Sequence, residues 1–330
     1  MHTRKIGSLE VSAIGLGCMG LSHAYGTPPQ EPQARAVLLH ALERGVTLFD
    51  TAALYGFGAN EELLGRVLAP HRARIVLASK GGLAGVDGKR VIDGRPESLR
   101  RDCEDSLRRL RTEVIDLYYL HRWDKRVPIE DSVGALKDLA AAGKVREIGL
   151  SEVSAATLRK AHAVHPIAAV QTEYSLWTRN PEIALLAACR ELGAALVPFS
   201  PLGRGFLAGG VTDAAALGER DLRRQMPRFA PDNLASNLRL LEPLRVLAAV
   251  VGCTPGQLAL AWVLAQGRDI VPIPGTTDLR HLDQNVDAAD LALAPRILAE
   301  LDRLLGRDAV AGERYAPATQ AEIDTETYPT

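Results

Sequence analysis

The sequence predicts a (β/α)8 TIM barrel, for three reasons. Eight short apolar segments alternate with amphipathic helical patterns along the 330 residues, which is the order that builds a parallel sheet covered by helices. The predicted strands are apolar on both faces, as buried parallel strands are. No linker-like change in composition divides the chain, so we expect one barrel domain over residues 1–330. A doubly wound open sheet is the alternative, because strand order cannot be read from a sequence.

The predicted barrel strands follow a short opening hairpin. The stretch RKIGSLEVS predicts two antiparallel strands that turn at Gly7 and Ser8. Each barrel strand is then a short apolar run between turn signals. These strands are predicted at Ala13–Gly17, Val46–Asp50, Arg74–Lys80, Val114–His121, Val145–Ser151, Ala168–Glu173, Ala195–Ser200 and Ile270–Gly275.

The predicted helices lie between the strands, and several have start or stop signals. Pro96 and Ser154 stand where a first turn prefers proline or a capping hydroxyl, and Gly45, Gly143 and Gly193 each follow a last turn. The helices are predicted at Gln33–Arg44, Asn60–Leu68, Pro96–Leu110, Ile129–Ala142, Ser154–His165, Pro181–Leu192 and Pro255–Gln266. Long irregular stretches run from Leu202 to about Asn233 and beyond Gly306, and loops of such length usually have a functional role.

Composition and charge exclude several classes of function. The chain is 47% hydrophobic and 24% charged, with a net charge of −1, so we expect neither a nucleic-acid partner nor a membrane partner. The four cysteines, Cys18, Cys103, Cys189 and Cys253, are too scattered for a disulfide framework or a metal site. The N-terminus has no apolar signal core. These features predict a cytoplasmic protein without a metal, and the oligomeric state is not readable.

Four proton-capable side chains are predicted to meet at one rim of the barrel. Asp50, Lys80 and His121 end three successive predicted strands, and Tyr55 lies in the loop after the first of them. The carboxyl ends of the strands form the active face of such a barrel. Asp50 and Lys80 alone would indicate a structural ion pair, and His121 alone a packed core residue. All four together predict an active site.

This set of residues suits the protonation of a developing alkoxide. Tyrosine in water has a pKa of about 10, which is high for an acid at neutral pH. Lys80 would lower the pKa of Tyr55 by stabilising the phenolate, and Asp50 would keep Lys80 charged. His121 would donate a hydrogen bond to the substrate carbonyl. The sequence therefore predicts a carbonyl reductase.

Ordered motifs along nearly the whole chain are similar to those of the aldo-keto reductase superfamily. They are GLGCMG, FDTAALYG, LASK, DLYYLHR, GKVREIGLSE, QTEYSLW, PFSPLGRGFL and PIPGTTDLRHLDQN. The first and the seventh most resemble the bacterial and plant branch that reduces aldehydes. This resemblance implies that Asp50, Tyr55, Lys80 and His121 form the catalytic tetrad, with Tyr55 as general acid.

The resemblance also implies a site for NADPH or NADP, with NAD less favoured. It implies contacts to the nicotinamide half from Gly17, Cys18, Met19, Asp50, Ser151, Gln171 and Phe199, to the pyrophosphate from Ser200, Pro201, Leu202, Gly203 and Arg204, and to the adenosine and 2′-phosphate from Gly275, Thr276, Thr277, Arg280, Gln284 and Asn285. Glu152 stands where relatives often have asparagine. Asp278 stands in the segment where relatives often have basic residues, which leaves Arg280 as its cation.

Two further features have alternative explanations. GLGCMG matches the dinucleotide fingerprint G-x-G-x-x-G, but Pro28 and Pro29 follow instead of a helix. We interpret its glycines as allowing close approach to the nicotinamide. Tyr25 and Trp123, with Tyr55 and His121, are predicted to contact the substrate, and Trp177 is a further candidate wall. Tyr25 and Trp177 would serve equally well as packing under loops, whereas a rim position is favoured for Trp123 because it follows His121 so closely.

The sequence as a whole predicts the reduction of a small-molecule aldehyde or ketone by NADPH. A nicotinamide-sensing binding subunit with little or no turnover is the alternative, and a barrel isomerase or aldolase is a third. An intact tetrad disfavours the sensor, and dependence on nicotinamide would exclude the third class. The identity of the substrate depends on loop shapes that no motif encodes.

Overall fold

A computed structural model describes residues 1–86 and 89–328. Its central sheet is parallel and seven-stranded, in the order β11-β10-β9-β8-β5-β4-β3. These strands are β3 Leu16–Gly17, β4 Leu48–Asp50, β5 Val76–Gly81, β8 Ile115–Leu120, β9 Val145–Ser151, β10 Ala169–Glu173 and β11 Ala195–Phe199. All seven coincide with predicted strands, although β3 and β4 are shorter than predicted. The prediction of a (β/α)8 barrel is confirmed.

The eighth predicted strand, Ile270–Gly275, closes the barrel without forming a regular strand. Val271 and Ile273 donate backbone hydrogen bonds to β11 (2.9 and 3.0 Å). On the other side, the carbonyl of Pro272 accepts from Gly15, just before β3, and that of Pro274 accepts from Gly17 in β3 (3.0 and 3.2 Å). Proline has no N–H group to return to that side. The prolines therefore explain why the ladder is incomplete here and why the strand prediction was wrong in detail.

The opening hairpin forms as predicted and covers the amino-terminal end of the barrel. Strands β1 (Thr3–Ile6) and β2 (Leu9–Ser12) pair in antiparallel fashion, and Gly7 has a φ of 55° at the turn. Ser8 donates backbone and side-chain hydrogen bonds to Glu147 in β9 (2.8 and 2.5 Å). The apolar hairpin side chains pack with Leu48 and Leu117 inside the barrel. This end is thereby sealed, and the carboxyl end is left for chemistry.

The helices cover the outside of the barrel. They are α1 Glu31–Glu43, α2 Ala59–Leu68, α3 Pro96–Leu110, α4 Ile129–Ala141, α5 Ala155–Val164, α6 Leu185–Leu192, α7 Pro231–Leu238, α8 Leu241–Val251, α9 Pro255–Ala265, α10 Leu279–Asp287, α11 Pro295–Leu304 and α12 Pro317–Gln320. Seven of those that the structure describes were predicted and have ends close to the predicted residues, whereas the five that begin at Pro231, Leu241, Leu279, Pro295 and Pro317 were not predicted. Ser154 caps α5 by accepting from Thr157. Gly45, Gly143 and Gly193 have positive φ angles at helix ends. The prediction was wrong at Pro181, where a 3-10 turn precedes α6.

The two long irregular stretches differ in what they do. The first follows β11 through tight turns and short 3-10 turns and ends in α7. The second crosses the carboxyl end of the barrel: Asp324 N–H donates to Glu152 O (3.0 Å), and Lys125 donates to the carbonyls of Ala321 and Ile323. A further small hairpin, β6 Leu83–Val86 and β7 Lys89–Ile92, follows β5 at the same end.

No single helix in residues 1–86 and 89–328 is long and apolar enough to cross a membrane. One pair of segments, Pro231–Val251 and Pro255–Ala265, bent by 80°, passes that test together by length and composition only.

Candidate functional site

Lys80 lies at the centre of a buried cluster at the carboxyl end of the barrel. Its Nζ donates to Asp50 Oδ1 (2.5 Å), to the carbonyl of Thr51 (2.8 Å) and to the hydroxyl of Tyr55 (3.4 Å). Strand β5 positions Lys80 and the adjacent β4 positions Asp50, which is why the two side chains meet. Both are almost completely buried. The ammonium group is thus fixed between a carboxylate and a phenol.

His121 completes the predicted group of four. The rings of Tyr55 and His121 meet edge to face, with centroids 5.8 Å apart. Tyr55 retains 9% of its accessible surface and His121 retains 6%. Nδ1 of His121 is buried, and no described residue is its hydrogen-bond partner. The structure therefore brings together all four side chains that the sequence placed at one rim.

The protonation states of these groups follow from their burial and neighbours. Burial raises the pKa of Tyr55 above its ordinary value, and Lys80 only partly opposes this. The expectation that Lys80 brings the phenol pKa below its ordinary value is therefore wrong for the protein without a ligand. Burial alone would lower the pKa of Lys80, but Asp50 and Tyr55 raise it. The site thus holds a neutral phenol beside a charged ammonium group.

His121 is neutral at physiological pH. Burial, followed by the positive charges of Arg122, Lys80 and Arg90, holds its pKa well below the ordinary range. A neutral imidazole carries one N–H donor and one acceptor nitrogen. It can orient a carbonyl oxygen by a hydrogen bond without adding a net charge to the site.

The residues predicted to bind the nicotinamide lie at the neighbouring strand ends. Gln171, in β10, donates to Asp50 Oδ2 (2.7 Å). The hydroxyl of Ser151, at the end of β9, accepts from Arg122 (3.1 Å). Phe199 ends β11 and is half-buried, so its ring keeps exposed surface for stacking. Cys18 is fully buried, and its N–H donates to Asp50 O (2.8 Å), while Met19 follows in a half-buried 3-10 turn.

The loop after β11 offers backbone donors to an anion. Ser200, Gly203, Arg204 and Gly205 have left-handed φ angles between 49° and 91°, which winds the chain into successive tight turns. Within the described chain, the N–H groups of Leu202 and Arg204 have no hydrogen-bond acceptor, whereas that of Gly203 donates to Ser200 O. Such a concave run of N–H groups suits a pyrophosphate. The predicted residues Ser200–Arg204 therefore fit that group through their backbone.

The side chain of Arg204, in contrast, is committed elsewhere. Its guanidinium donates to Glu173 and to the hydroxyl of Tyr315, each at 2.9 Å. Glu173 also lies beside Arg314, which in turn pairs with Glu152 at 2.6 Å. The Arg204 guanidinium is thus paired with the buried carboxylate of Glu173. A contact of Arg204 with the pyrophosphate would therefore come from its backbone N–H and not from its guanidinium.

The segment predicted to hold adenosine and the 2′-phosphate is only partly available. Gly275 N lies near Gly17, and Thr276 stabilises a turn by accepting from Asp278 N–H (3.1 Å). Asp278 Oδ1 accepts from the N–H groups of Arg280 (2.8 Å) and His281 (3.2 Å). Asp278 therefore caps α10, and two amides of its first turn are already paired.

The remaining residues of this segment differ in exposure. The Arg280 side chain is 84% exposed and pairs with Asp278 at 3.1 Å. Asn285 is buried in α10, Gln284 is half-buried, and Thr277 accepts from Gln33 at its carbonyl. Arg280 is thus the accessible cation that the sequence predicted, and its side chain forms an ion pair with Asp278.

The glycines of GLGCMG have a packing role in the structure. A Cβ at Gly17 would lie 2.7 Å from the carbonyl oxygen of Ile273, and one at Gly15 would lie 2.9 Å from the side chains of Ile273 and Leu48. A Cβ at Gly20 would meet only Tyr25, at 3.8 Å. Gly15 and Gly17 are therefore required where β3 meets the proline-containing segment. This is a different reason from the approach to a nicotinamide ring that we expected.

The aromatic residues predicted to line the substrate pocket have different environments. Trp177 is buried and stacks on Phe206 with centroids 4.2 Å apart, so it packs under the loop after β11. Trp123 is half-buried and donates to Val127 O (2.9 Å). Tyr25 is half-buried, and its hydroxyl lies 3.5 Å from Arg204. Tyr25 and Trp123 keep the exposure that a pocket wall needs.

Sequence reasoning missed the arginines that surround this rim. Arg122 follows His121 directly and ends the DLYYLHR motif, but no role was predicted for it. Arg314 and Tyr315 come from the C-terminal tail, where the sequence carries no pattern that marks a site. The position of Arg122 directly after a strand-end histidine could have indicated a site residue, because arginine is almost never fully buried unless it is paired.

In residues 1–86 and 89–328, no group of three or more histidine, cysteine, aspartate or glutamate side chains is arranged to hold a metal ion.

Comparisons with known proteins agree with the geometry. A model of the aldo/keto reductase family matches residues 13–305. A glycerol dehydrogenase from Gluconobacter oxydans is 30% identical, with a TM-score of 0.86 over 96% of this chain and 98% of that chain. An aldo-keto reductase from Bacillus halodurans, in its holo form, is 27% identical, with a TM-score of 0.75 over 96% and 99%. One from Klebsiella pneumoniae, in complex with NADPH, is 28% identical, with a TM-score of 0.71 over 92% and 96%.

Proposed function

Because this chain belongs to the aldo/keto reductase family, we propose that it reduces aldehydes or ketones to alcohols with NADPH and that Tyr55 is the general acid. The observation that carries the proposal is the buried contact of one ammonium group with both Asp50 (2.5 Å) and the Tyr55 hydroxyl (3.4 Å). A buried phenol beside a fixed cation can release its proton to an alkoxide, because the cation stabilises the phenolate that remains.

The residues around the site have distinct tasks in this proposal. The neutral His121 orients the carbonyl oxygen toward Tyr55. Because burial raises the pKa of Tyr55, the phenol holds its proton until a stronger base, the alkoxide, forms beside it. Lys80 then stabilises the phenolate, and Asp50 keeps Lys80 positioned. NADPH, when bound, supplies the hydride that makes the alkoxide.

We propose the cofactor-binding residues from the resemblance to the family, and the positions of their side chains and backbone support the assignment. Members of this family use NADP(H), and the Klebsiella relative was crystallised with NADPH. Ser151 and Gln171 would hold the carboxamide, and Phe199 would stack on the ring. The N–H groups of Leu202 and Arg204 would bind the pyrophosphate, since neither has a hydrogen-bond acceptor within the described chain. Thr276 and Arg280 would face the 2′-phosphate, with Gly275, Thr277, Gln284 and Asn285 around the adenosine.

The test is turnover of a panel of aldehydes by the purified protein. NADPH consumption would be followed by its fluorescence with benzaldehyde and with glyceraldehyde, the latter because one relative is a glycerol dehydrogenase. We expect consumption that depends on both protein and aldehyde. Tight NADPH binding without any consumption across the panel would instead identify a nicotinamide-sensing subunit, which is the alternative.

A further inference from the structure

Resting on the proposed function, we propose that the site selects carbonyl substrates bearing a carboxylate and that Arg122 binds this carboxylate beside His121. Arg122 is the first residue after the histidine at the end of β8, and it retains only 8% of its accessible surface. A buried guanidinium at the mouth of a site needs a counter-charge. The hydrogen bonds and charge neighbours of Arg122 show which of its partners are missing within the described chain.

The hydrogen bonds of Arg122 go to neutral groups alone. Its Nη1 donates to the carbonyl of His121 (2.6 Å) and to the hydroxyl of Ser151 (3.1 Å). Nε is buried, and among the described residues neither Nε nor Nη2 has a hydrogen-bond partner. Across residues 1–86 and 89–328, no carboxylate oxygen lies within 4.0 Å of this guanidinium.

The nearest carboxylates are already used by other cations. Glu152, which follows Ser151, accepts from Arg314 (2.6 Å), from the hydroxyl of Thr172 (2.9 Å) and from the N–H of Glu173 (3.0 Å). Glu173 accepts from Arg204 (2.9 Å). The charge of Arg122 helps to lower the pKa of Glu152, but within the described chain neither glutamate forms a direct ion pair with Arg122.

The buried cluster therefore carries an excess of positive charge. Arg122, Arg204 and Arg314 are buried, and the buried carboxylates that interact with them are those of Glu152 and Glu173. The half-buried Arg228 interacts with Glu173 and Glu313, and burial lowers its pKa to about 10. An anion brought into this cluster would balance a charge that the protein leaves unbalanced.

The position of Arg122 indicates what kind of anion this is. A guanidinium offers parallel N–H donors that match a carboxylate. The phosphates of the cofactor are expected after β11 and near α10, whereas Arg122 follows β8 and touches the backbone of His121, the residue expected to hold the carbonyl. Arg90, from the hairpin after β5, adds a second positive charge near the same imidazole and is itself paired with Glu322. An aldehyde or keto acid therefore fits better than a neutral carbonyl compound.

The experiment compares two substrates of nearly equal shape. 4-Carboxybenzaldehyde carries the anion, and methyl 4-formylbenzoate is its neutral ester. We expect kcat/KM of the wild type to favour the acid by about tenfold or more, the scale of a hydrogen bond to a charged group. Arg122→Gln should lower this acid-to-ester ratio by about the same factor, mainly through KM of the acid. Arg35→Gln, on the exposed face of α1, is the matched control and should leave the ratio unchanged.

A second readout does not depend on turnover. Binding of 4-(hydroxymethyl)benzoate to the NADP-loaded protein would be measured by calorimetry, with thermal unfolding of each variant as a check on folding. Weaker binding to Arg122→Gln than to Arg35→Gln supports the proposal, and partial recovery in Arg122→Lys supports it further. Equal kcat/KM for acid and ester in the wild type would overturn it, as would a fall of both together in Arg122→Gln. Reduction of neither compound would count against the proposed reductase function, and product binding would then still test the anion site.

Discussion

Arg314 Nη2 donates to Glu152 Oε2 at 2.6 Å, which joins two residues 162 positions apart in the chain. The contact ties the C-terminal tail to the end of β9, next to Ser151. Glu152 itself has a φ of 56°, a left-handed conformation that costs a glutamate more than the asparagine frequent in relatives. Arg314, Thr172 and the Glu173 N–H together hold this carboxylate in place.

Removing Arg314 should destabilise the protein strongly. Arg314→Gln leaves Glu152 and Glu173 buried with one cation fewer, and breaking a buried pair by removing one partner costs about 3–5 kcal/mol. Urea denaturation would measure this loss in the free energy of unfolding. Arg303→Gln breaks an exposed pair with Glu300 and serves as the control, with little change expected.

A double-mutant cycle separates the pair from the rest of the tail. Glu152→Gln combined with Arg314→Gln removes both charges, so the double variant should be more stable than the sum of the two single losses implies. Additive losses would show that Arg314 acts through tail packing and not through the ion pair.

The free energy of unfolding should fall on acidification because of His121. Burial and nearby cations hold its folded-state pKa well below the ordinary value, so near pH ~6.5 the unfolded chain gains a proton that the folded protein does not take up. Stability is therefore lost as the pH falls from about 6.5 toward 5. His121→Gln should reduce the slope by up to about 1.4 kcal/mol per pH unit, measured by urea denaturation at several pH values. The exposed His281→Gln is the control, and equal slopes in the two variants would assign the effect to other groups.

Cofactor choice should depend on the balance between Arg280 and Asp278. Asp278→Asn keeps an oxygen to cap α10 but removes the charge that pairs with Arg280, so NADPH should bind about two- to fivefold more tightly, as expected for an exposed charge. Arg280→Ala should weaken NADPH binding and change NADH binding less. Fluorescence titration at low and high salt measures both, and the differences should shrink at high salt. Equal changes for the two cofactors would place the 2′-phosphate elsewhere.

The residues that the sequence located are those whose position follows from chain topology. Asp50, Lys80 and His121 end successive strands of a parallel barrel, so their meeting is a consequence of the fold class and needs no long-range information. The seven regular barrel strands and the hairpin at Gly7 were predicted for the same reason, because period and turn chemistry are local. Pro272 and Pro274 are a sequence signal against a regular eighth strand, because each lacks the backbone N–H that a strand donates to its neighbour.

Contacts between distant segments could not be predicted in this way. Arg314 lies in a tail without periodicity, and nothing local states that it reaches Glu152. The commitment of Arg204 to Glu173 depends on that same arrangement. The capping of α10 by Asp278 was not predicted, although an aspartate directly before a helix is a common N-cap signal. The pKa of Tyr55 depends on burial, whose extent at a rim is set by loops.

The most direct measurement of the central claim is hydride transfer in Tyr55→Phe, which removes one hydroxyl and keeps the ring. NADPH-loaded protein would be mixed with benzaldehyde in a single turnover, and Tyr118→Phe would be the matched control. Tyr118 is fully buried in the hydrophobic core that also contains Leu99 and Cys103 of α3. The account predicts that Tyr55→Phe binds NADPH as the wild type does and transfers hydride ~10²–10⁴-fold more slowly, with Tyr118→Phe near the wild-type rate. A Tyr55→Phe rate close to that of the wild type would contradict the assignment of Tyr55 as the general acid.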